Sequence, residues 1–245
     1  MSKWKGIITL VAIGNPLFYL VAIGIGIGIL VSNNSGTSGT GGVEYIVFIA
    51  PALLANTALL GAMDETVFPV MEGFKWRKMF YATNSTPITG PQIALGVFIA
   101  ALVRVAFSVF LYWLFLIAFG VMTFQDSWLA PIVAMYGGAA FGALMMGIVA
   151  GVQKDDYFLT VLGRLVITPL FLFSGTFFPL TNMPIFLQPI GWISPLWHTT
   201  ELGRYFSYGY EISGLMMLIH FAFLTAMLVT GLKIANIRFT NRLLK

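Results

Sequence analysis

Six long apolar stretches constrain this chain more than any other feature of its sequence. They cover residues 10–31, 45–63, 92–120, 129–152, 157–178 and 213–235. A helix needs about 20 mostly apolar residues to cross a bilayer, and each stretch is close to that length or longer. None of them alternates polar with apolar side chains as a barrel strand does. We therefore predict a single all-α domain over residues 1–245, a polytopic membrane protein with six transmembrane helices.

The composition agrees with a chain that is surrounded by lipid. Only 9% of its residues are charged, 58% are hydrophobic, and its mean hydropathy is +0.90. A soluble domain carries about 25% charged residues because its surface faces water. The chain has no cysteine, which excludes disulfides and thiolate metal sites. The first stretch is longer than the apolar part of a signal peptide, so we expect it to remain as a span; cleavage after it is the alternative.

The distribution of Lys and Arg predicts that both ends of the chain are cytoplasmic. Cytoplasmic segments of membrane proteins are enriched in these residues. With the N-terminus inside, they hold ten of the thirteen: Lys3, Lys5, Lys75, Arg77, Lys78, Lys154, Lys233, Arg238, Arg242 and Lys245. Arg204 is then the only basic residue of an outer segment, while Arg104 and Arg164 lie inside predicted helices.

Two connecting segments are large enough to carry function. The cytoplasmic segment 65–91 contains residues 71–81, which we predict to form a short helix along the membrane surface; a basic membrane-anchoring loop is the alternative. The outer segment 179–212 contains four prolines together with Trp192 and Trp197. This aromatic composition suits the headgroup layer. It predicts short helices in the outer interface, although an ordinary interfacial loop has the same composition.

Within the predicted spans, Arg104 and a run of small residues stand out. Arg104 lies about 18 Å into the third stretch at 1.5 Å per residue, close to the middle of a bilayer. A charge at that depth faces protein or water, which would place it on a substrate path, unless its side chain reaches back to the cytoplasmic headgroups. The fourth stretch has glycine pairs at 138/142 and 147/151, a spacing that lets another helix or a second subunit approach closely.

The sequence lacks the residues that several kinds of chemistry require. It has no G-x-x-x-x-G-K-[ST] phosphate loop, so it does not bind ATP by that route. Its two histidines, His198 and His220, fall on different elements, and neither belongs to a metal-binding motif. No metal site and no nucleic-acid partner are expected. A proton relay is poorly supported, because no helix carries a ladder of acidic residues or histidines.

Three stretches resemble one family of transport proteins. Residues 15–28, NPLFYLVAIGIGIG, resemble the first membrane helix of type-2 ABC exporter permeases. Residues 71–89, MEGFKWRKMFYATNSTPIT, look like the first cytoplasmic loop of these permeases. Residues 173–180, FSGTFFPL, followed by 189–204, PIGWISPLWHTTELGR, resemble their signature before the last helix. The subgroup of nodulation-factor and daunorubicin exporter permeases is the most similar, and the resemblance covers nearly the whole chain.

The resemblance implies partners and roles that composition alone does not. Such permeases pair with a second permease subunit, identical or different, and bind two separate ABC ATPase subunits that carry ATP and Mg²⁺; no cofactor is expected in this chain. It implies that the cytoplasmic segment is a coupling helix whose contact residues are Glu72, Phe74, Lys75, Trp76, Arg77 and Lys78. It implies outer re-entrant helices, with Arg104, Phe177, Phe178 and Trp192 on the substrate path or exit gate. One departure is the short stretch before the first span, which puts a second ATPase contact there in doubt.

These observations lead to a functional hypothesis with two rivals. We expect a multi-pass protein of the bacterial plasma membrane, in contact with lipid, that acts as the permease of an ATP-driven exporter. Its apolar interior favours an amphipathic substrate: a drug, a glycolipid or a lipid-linked saccharide. A secondary transporter or channel would need carboxylates near mid-membrane or inverted repeats. A membrane-embedded enzyme would need polar residues gathered at one depth, and they are too few and too scattered.

Overall fold

A computed structural model describes residues 42–153 and 157–244, together with Phe18, Ala22, Gly26 and Thr40. The first predicted span, 10–31, lies outside the described residues apart from three of those single positions. The described ranges contain ten α-helices and no β-strand. In chain order they are α1 Tyr45–Met71, α2 Met79–Asn84, α3 Gly90–Ala118, α4 Phe124–Ser127, α5 Ala130–Ala150, α6 Phe158–Val161, α7 Thr168–Phe173, α8 Gln188–Trp192, α9 Pro195–Tyr208 and α10 Gly214–Leu243. Two π-helical segments, Glu72–Trp76 and Leu162–Ile167, and a short 3₁₀ helix, Leu180–Asn182, connect some of them.

Four continuous helices are long and apolar enough to cross a membrane. They are Tyr45–Trp76 with 32 residues, Gly90–Ala118 with 29, Phe124–Ala150 with 27 and Gly214–Leu243 with 30. The predicted all-α class is therefore confirmed for the described part of the chain. The predicted fifth span forms a shorter apolar helix, Phe158–Phe173, which ends five residues before Phe178. The count of six spans and the orientation stay predictions.

The shorter fifth helix is irregular because of a proline. Pro169 has no backbone N–H to donate to the carbonyl of Leu165, one turn earlier. The preceding Leu162–Ile167 adopts the wider π-helical form. There the Gly163 carbonyl accepts from both the backbone N–H and the hydroxyl of Thr168, the hydroxyl at 3.0 Å. The helix then ends at Phe173, with Ser174 as its C-cap, and Gly175 follows in a left-handed conformation with φ +68°.

Helix α5 lies at the centre of the bundle because its glycines let neighbouring backbones approach closely. A Cβ atom on Gly138 would lie 2.8 Å from the Ala58 carbonyl oxygen of α1. One on Gly147 would lie 3.0 Å from the Gly231 carbonyl oxygen of α10. The small residues of the fourth span therefore pack against helices of the same chain. Helix α3 is more peripheral, and it presents large apolar side chains such as Val103 and Phe107 at its exposed surface.

Candidate functional site

The cytoplasmic bend, Glu72–Lys78, is continuous with α1. The helix passes without interruption into the π-helical turn Glu72–Trp76, where the Arg77 N–H donates to the Glu72 carbonyl at 2.9 Å. Lys78 has φ +55°, the one positive value among the described non-glycine residues, and it reverses the chain into α2. A single separate helix over residues 71–81 was therefore the wrong expectation. The reversal is possible because Gly73 has no side chain: a Cβ there would lie 2.2 Å from the Phe80 ring.

The six residues predicted to meet an ATPase divide into two groups in the structure. Trp76, Arg77 and Lys78 are exposed at the tip of the bend, and Trp76 keeps half of its surface accessible. Glu72 and Lys75 are partly exposed. The Glu72 carboxylate forms an ion pair with Arg77, whose Nε lies 2.7 Å from Oε1. Phe74 points inward and is 2% exposed. The tip therefore combines an aromatic surface with basic side chains, and Phe74 lies behind it as an anchor.

Arg104 pairs with an acidic residue of the neighbouring helix. Its Nη1 donates to Glu65 Oε2 at 2.6 Å, which joins α3 to α1. The side chain of Arg104 nevertheless remains 63% exposed and that of Glu65 33% exposed. The guanidinium therefore balances one carboxylate and still has open surface beside the apolar face of α3.

The outer segment contains helices, as the sequence predicted, rather than a plain loop. Helix α9 begins where the Ser194 hydroxyl accepts a hydrogen bond from the Leu196 N–H at 3.2 Å, with Pro195 as the first helical residue. Most of α9 is buried, and it packs against α1, α5 and α10. The Ser194 hydroxyl also lies 2.5 Å from that of Ser174, which ties the start of α9 to the end of α7.

Arg204 is buried at the centre of this outer segment and is 1% exposed. Its Nη1 donates to Glu201 Oε1 at 2.8 Å and its Nη2 to the Gly175 carbonyl at 2.8 Å. Its guanidinium carbon lies 3.7 Å from the centroid of the Phe48 ring. The single basic residue predicted outside the membrane is thus an internal connection between α1, the end of α7 and α9.

A pair of histidines joins α9 to α10. His198 Nδ1 and His220 Nδ1 are 2.7 Å apart, and His198 Nε2 lies 2.9 Å from the Trp192 carbonyl oxygen of α8. Since a carbonyl only accepts, Nε2 of His198 carries a proton, its Nδ1 accepts, and Nδ1 of His220 donates. Burial lowers the pKa of His198, and the hydrogen bond to the Trp192 carbonyl opposes that shift. The lowered pKa favours the neutral form of His198, which then links His220 to the Trp192 carbonyl in one chain of hydrogen bonds.

The aromatic residues assigned to an exit gate lie on the outer surface around these buried contacts. Trp192 and Phe178 are exposed by 52% and 42%. Phe177 is half-buried, and its ring meets that of Phe171 edge-on at 5.1 Å. A separate open cavity of about 570 Å³ lies at the same end of the bundle, between α1, α4 and the C-terminal end of α9, and Tyr205 and Tyr208 line part of it. The predicted gate residues do not line that cavity.

Sequence reasoning missed both buried contacts of the outer segment. The histidines are 22 residues apart on separate helices, and no local sequence pattern predicts their contact. The Arg204 pair did leave a signal, since Glu201 and Arg204 are three residues apart on a helix and Arg204 is the only basic outer residue. Among the described residues no group of three or more His, Asp or Glu side chains is placed to hold a metal ion.

Comparison with known proteins settles the family. The model of the ABC-2 type transporter family matches residues 2–208, well over half of the chain. The chain belongs to the ABC-2 type transporter family. It is similar to Nodulation protein J of Rhizobium leguminosarum bv. trifolii, with 31% identity over 209 residues, 82% of this chain and 74% of that protein. Nodulation protein J of Rhizobium leguminosarum bv. viciae is 26% identical over 253 residues, 99% of this chain and 91% of that protein.

A multidrug permease is a more distant relative of this ABC-2 chain. The probable multidrug ABC transporter permease YbhR of Escherichia coli K12 is 26% identical over 170 residues, 66% of this chain and 44% of that protein. No solved structure matches the chain. An ABC-2 membrane protein is the transport subunit of an ABC transporter, and ATPase activity lies in separate subunits. This chain is therefore a multi-pass plasma-membrane permease that associates with an ABC ATPase partner, and it is not itself an enzyme.

Proposed function

We propose that this ABC-2 permease exports an amphipathic substrate from the cytoplasm or the inner leaflet, driven by ATP. The observation that carries the proposal is the cytoplasmic bend. It presents Trp76, Arg77 and Lys78 at the tip of a continuous 32-residue helix. An exposed aromatic side chain among cations suits a protein partner with an apolar cleft and an acidic rim. Because the bend follows directly on α1, a partner bound at its tip acts next to a membrane helix.

The mechanism needs two states with different contacts and no catalytic residue in this chain. Two ABC ATPase subunits bind ATP and Mg²⁺ and move together. Each of them contacts the cytoplasmic bend of one permease subunit. Glu72 and Lys75 flank the contact, and the Glu72–Arg77 ion pair orients the Arg77 guanidinium. Two permease subunits, either identical or different, then shift relative to each other and open a path between them.

The outer segment is the exit in this scheme. Phe177, Phe178 and Trp192 offer aromatic surface at the level where a substrate would leave the bundle. Arg104 supplies a cation deeper in the membrane, with exposed surface beyond its pair with Glu65. An amphipathic molecule meets both kinds of surface, apolar along α3 and charged at Arg104. Similarity to a protein named as a multidrug permease supports this substrate class.

Co-purification tests the proposal. The chain is co-expressed with the genes that neighbour its own and purified in detergent, as wild type, as Trp76→Ala/Arg77→Ala and as Trp128→Ala. Trp128 is a matched control, because it is 52% exposed, as Trp76 is 50% exposed, but lies between α4 and α5, at the opposite end of the bundle from the bend. We expect the ATPase to remain with the wild type and the control, and to be lost or uncoupled with the double variant.

The contrary result is equally clear. If the chain purifies alone and moves substrate into proteoliposomes without ATP, the proposal is wrong and a secondary transporter takes its place. If the double variant keeps a fully coupled ATPase, the partner contact lies elsewhere on the cytoplasmic surface.

A further inference from the structure

Three phenylalanine rings connect the cytoplasmic bend to the end of the last helix. Phe74 of the bend meets Phe239 of α10 edge-on, with centroids 4.8 Å apart. Phe80 of α2 lies 5.0 Å from Phe74 and 5.5 Å from Phe239. Phe239 is completely buried, and the other two rings are nearly so. Close edge-to-face contacts in a dense interior leave little freedom for one ring to move without the others.

Arg242 extends this cluster to a third helix. Its guanidinium carbon lies 4.4 Å from the centroid of Phe74. Its Nη1 donates to the Ala150 carbonyl at 3.0 Å and the Val152 carbonyl at 2.9 Å. The last carbonyls of a helix have no partner within the helix and carry its partial negative charge, so a cation there is favourable. One side chain thus contacts the bend and the cytoplasmic end of α5.

Arg238, one turn earlier on α10, also binds carbonyls at the end of α5 but does not contact the phenylalanine cluster through a cation–π interaction. Its Nη1 donates to the Gly147 carbonyl at 3.0 Å and to the Ile148 carbonyl at 2.9 Å, also at the end of α5. Among the described residues its guanidinium lies over no aromatic ring, whereas that of Arg242 does. Arg238 therefore caps the end of α5 only, whereas Arg242 caps the same end and also contacts the bend through Phe74.

The backbone path from the bend into α1 is comparatively weak. Pro69 removes one hydrogen bond just before the bend, and the π-helical turn Glu72–Trp76 departs from regular α-helical bonding. Beyond the bend, Lys78 reverses the chain. The side-chain cluster is thus the direct contact between the bend and the helices α5 and α10.

We propose that Phe239 and Arg242 are positioning residues that make the bend, α5 and α10 move as one unit when the ATPase acts. This role rests on the proposed function, since it needs an ATPase to bear on the bend. The phenylalanine cluster transmits displacement to α10, and Arg242 transmits it to α5. Without Arg242 the bend follows the ATPase while the end of α5 lags behind.

A distance measurement tests this role. The chain has no cysteine, so Met79→Cys and Gln153→Cys introduce a single pair of spin labels, one after the bend and one after α5. The pair is placed in the permease–ATPase complex, in otherwise wild-type, Arg242→Gln and Arg238→Gln chains. We expect the label distance to be the same in the ATP-free and vanadate-trapped states for the wild type and for Arg238→Gln. For Arg242→Gln we expect the distance to shift or broaden on trapping, with the ATPase still bound and transport per ATP reduced several-fold.

Two more conservative variants distinguish loss of the positioning contacts from misfolding of the chain. Arg242→Lys keeps the cation near the carbonyls but loses the planar group that stacks on Phe74. Phe239→Leu keeps an apolar side chain without the ring contacts. Both should reproduce the shift in label distance, with the ATPase retained at wild-type amounts.

The outcomes separate the two proposals. If Arg242→Gln and Arg238→Gln behave alike, the positioning role is wrong although the exporter function stands. If the wild-type chain binds no ATPase at all, both proposals are overturned.

Discussion

His198 and His220 share a hydrogen bond of 2.7 Å between their Nδ1 atoms, and this bond fastens the outer helix α9 to the last helix α10. Aromatic rings enclose it: Trp197 lies 4.9 Å from each imidazole, and Phe223 stacks on His198 at 4.0 Å. A second proton on His198 would place an N–H opposite the N–H of His220.

Acidification should therefore destabilise the folded permease. Burial holds the pKa of His198 below its ordinary 6.5, so the unfolded chain takes up this proton at higher pH than the folded one does. Its stabilising contribution is complete above pH 6.5 and is lost as the pH falls from there toward the lowered folded pKa. The measurement is the unfolding temperature in detergent between pH 5 and pH 8.

The control for this pH dependence is His198→Gln. The glutamine amide can donate to the Trp192 carbonyl and accept from His220, yet it does not titrate. We expect its unfolding temperature to fall less steeply below pH 6.5 than that of the wild type. Equal slopes for the two proteins would contradict a role of His198 in the acid sensitivity.

Removing one member of the buried Arg204–Glu201 pair should be costly. Glu201→Gln leaves the guanidinium buried without its carboxylate, and Arg204→Met leaves the Gly175 carbonyl and the carboxylate without their donor. Breaking a buried pair in this way costs about 3–5 kcal/mol. The double variant removes both charges and should lose less than the sum of the two single changes. Thermal unfolding of all four proteins measures this coupling, and strict additivity would argue against it.

Adding one methyl group at Gly138 should weaken the packing of α5 against α1 and destabilise the protein. In Gly138→Ala the new Cβ would approach the Ala58 carbonyl oxygen to 2.8 Å, and backbone cannot yield as a side chain does. Overpacking of this kind costs about 1–3 kcal/mol. Gly96→Ala on α3 is the matched control, since nothing lies within 4 Å of its would-be Cβ. Unfolding temperatures should fall for Gly138→Ala and stay level or rise for Gly96→Ala; a similar response at both sites would disprove the close contact.

Exchanging the charges of Arg104 and Glu65 should distinguish stability from transport. Either single change, Arg104→Gln or Glu65→Gln, leaves the remaining charge without its partner on an apolar helix, so the unfolding temperature should fall. The double exchange Arg104→Glu/Glu65→Arg restores the pair, so the unfolding temperature should recover. Transport should stay low, because the cation no longer lies on α3 where we place the substrate. Recovery of transport together with stability would make the pair purely structural.

The sequence predicted those parts of the fold that depend on local composition. Helices α1, α3, α5 and α10 all lie within or around their apolar stretches, because hydropathy and length alone decide where a chain can cross lipid. The end of the last helix shows the limit of that argument. The prediction stopped at Ala235, three residues before Arg238, yet α10 continues to Leu243. It does so because Arg238 and Arg242 bind carbonyls of α5, a contact across about 90 residues of chain.

Side-chain direction in the candidate site was harder to predict for a related reason. Residues 71–81 carry aromatic side chains all around a helix, so periodicity did not separate the inward Phe74 from the outward Trp76. What decides the matter is the space above Gly73, which admits the Phe80 ring and turns the chain back at Lys78. The meeting of His198 with His220 likewise depends on the packing of α9 across the bundle, which no local pattern reports.

The glycine contacts along α5 have a mechanical consequence. Backbone presses on backbone at Gly138 and Gly147, so no side chain can change rotamer and let α1 or α10 slide past α5. Between these two contacts, α1, α5 and α10 therefore tilt more readily than they slide past one another. The longest of them has 32 residues and measures about 48 Å at 1.5 Å per residue. A rotation of about 10° about one end of such a helix would carry its other end through about 8 Å, so a small rotation near the bend becomes a wide movement at the opposite end of the bundle.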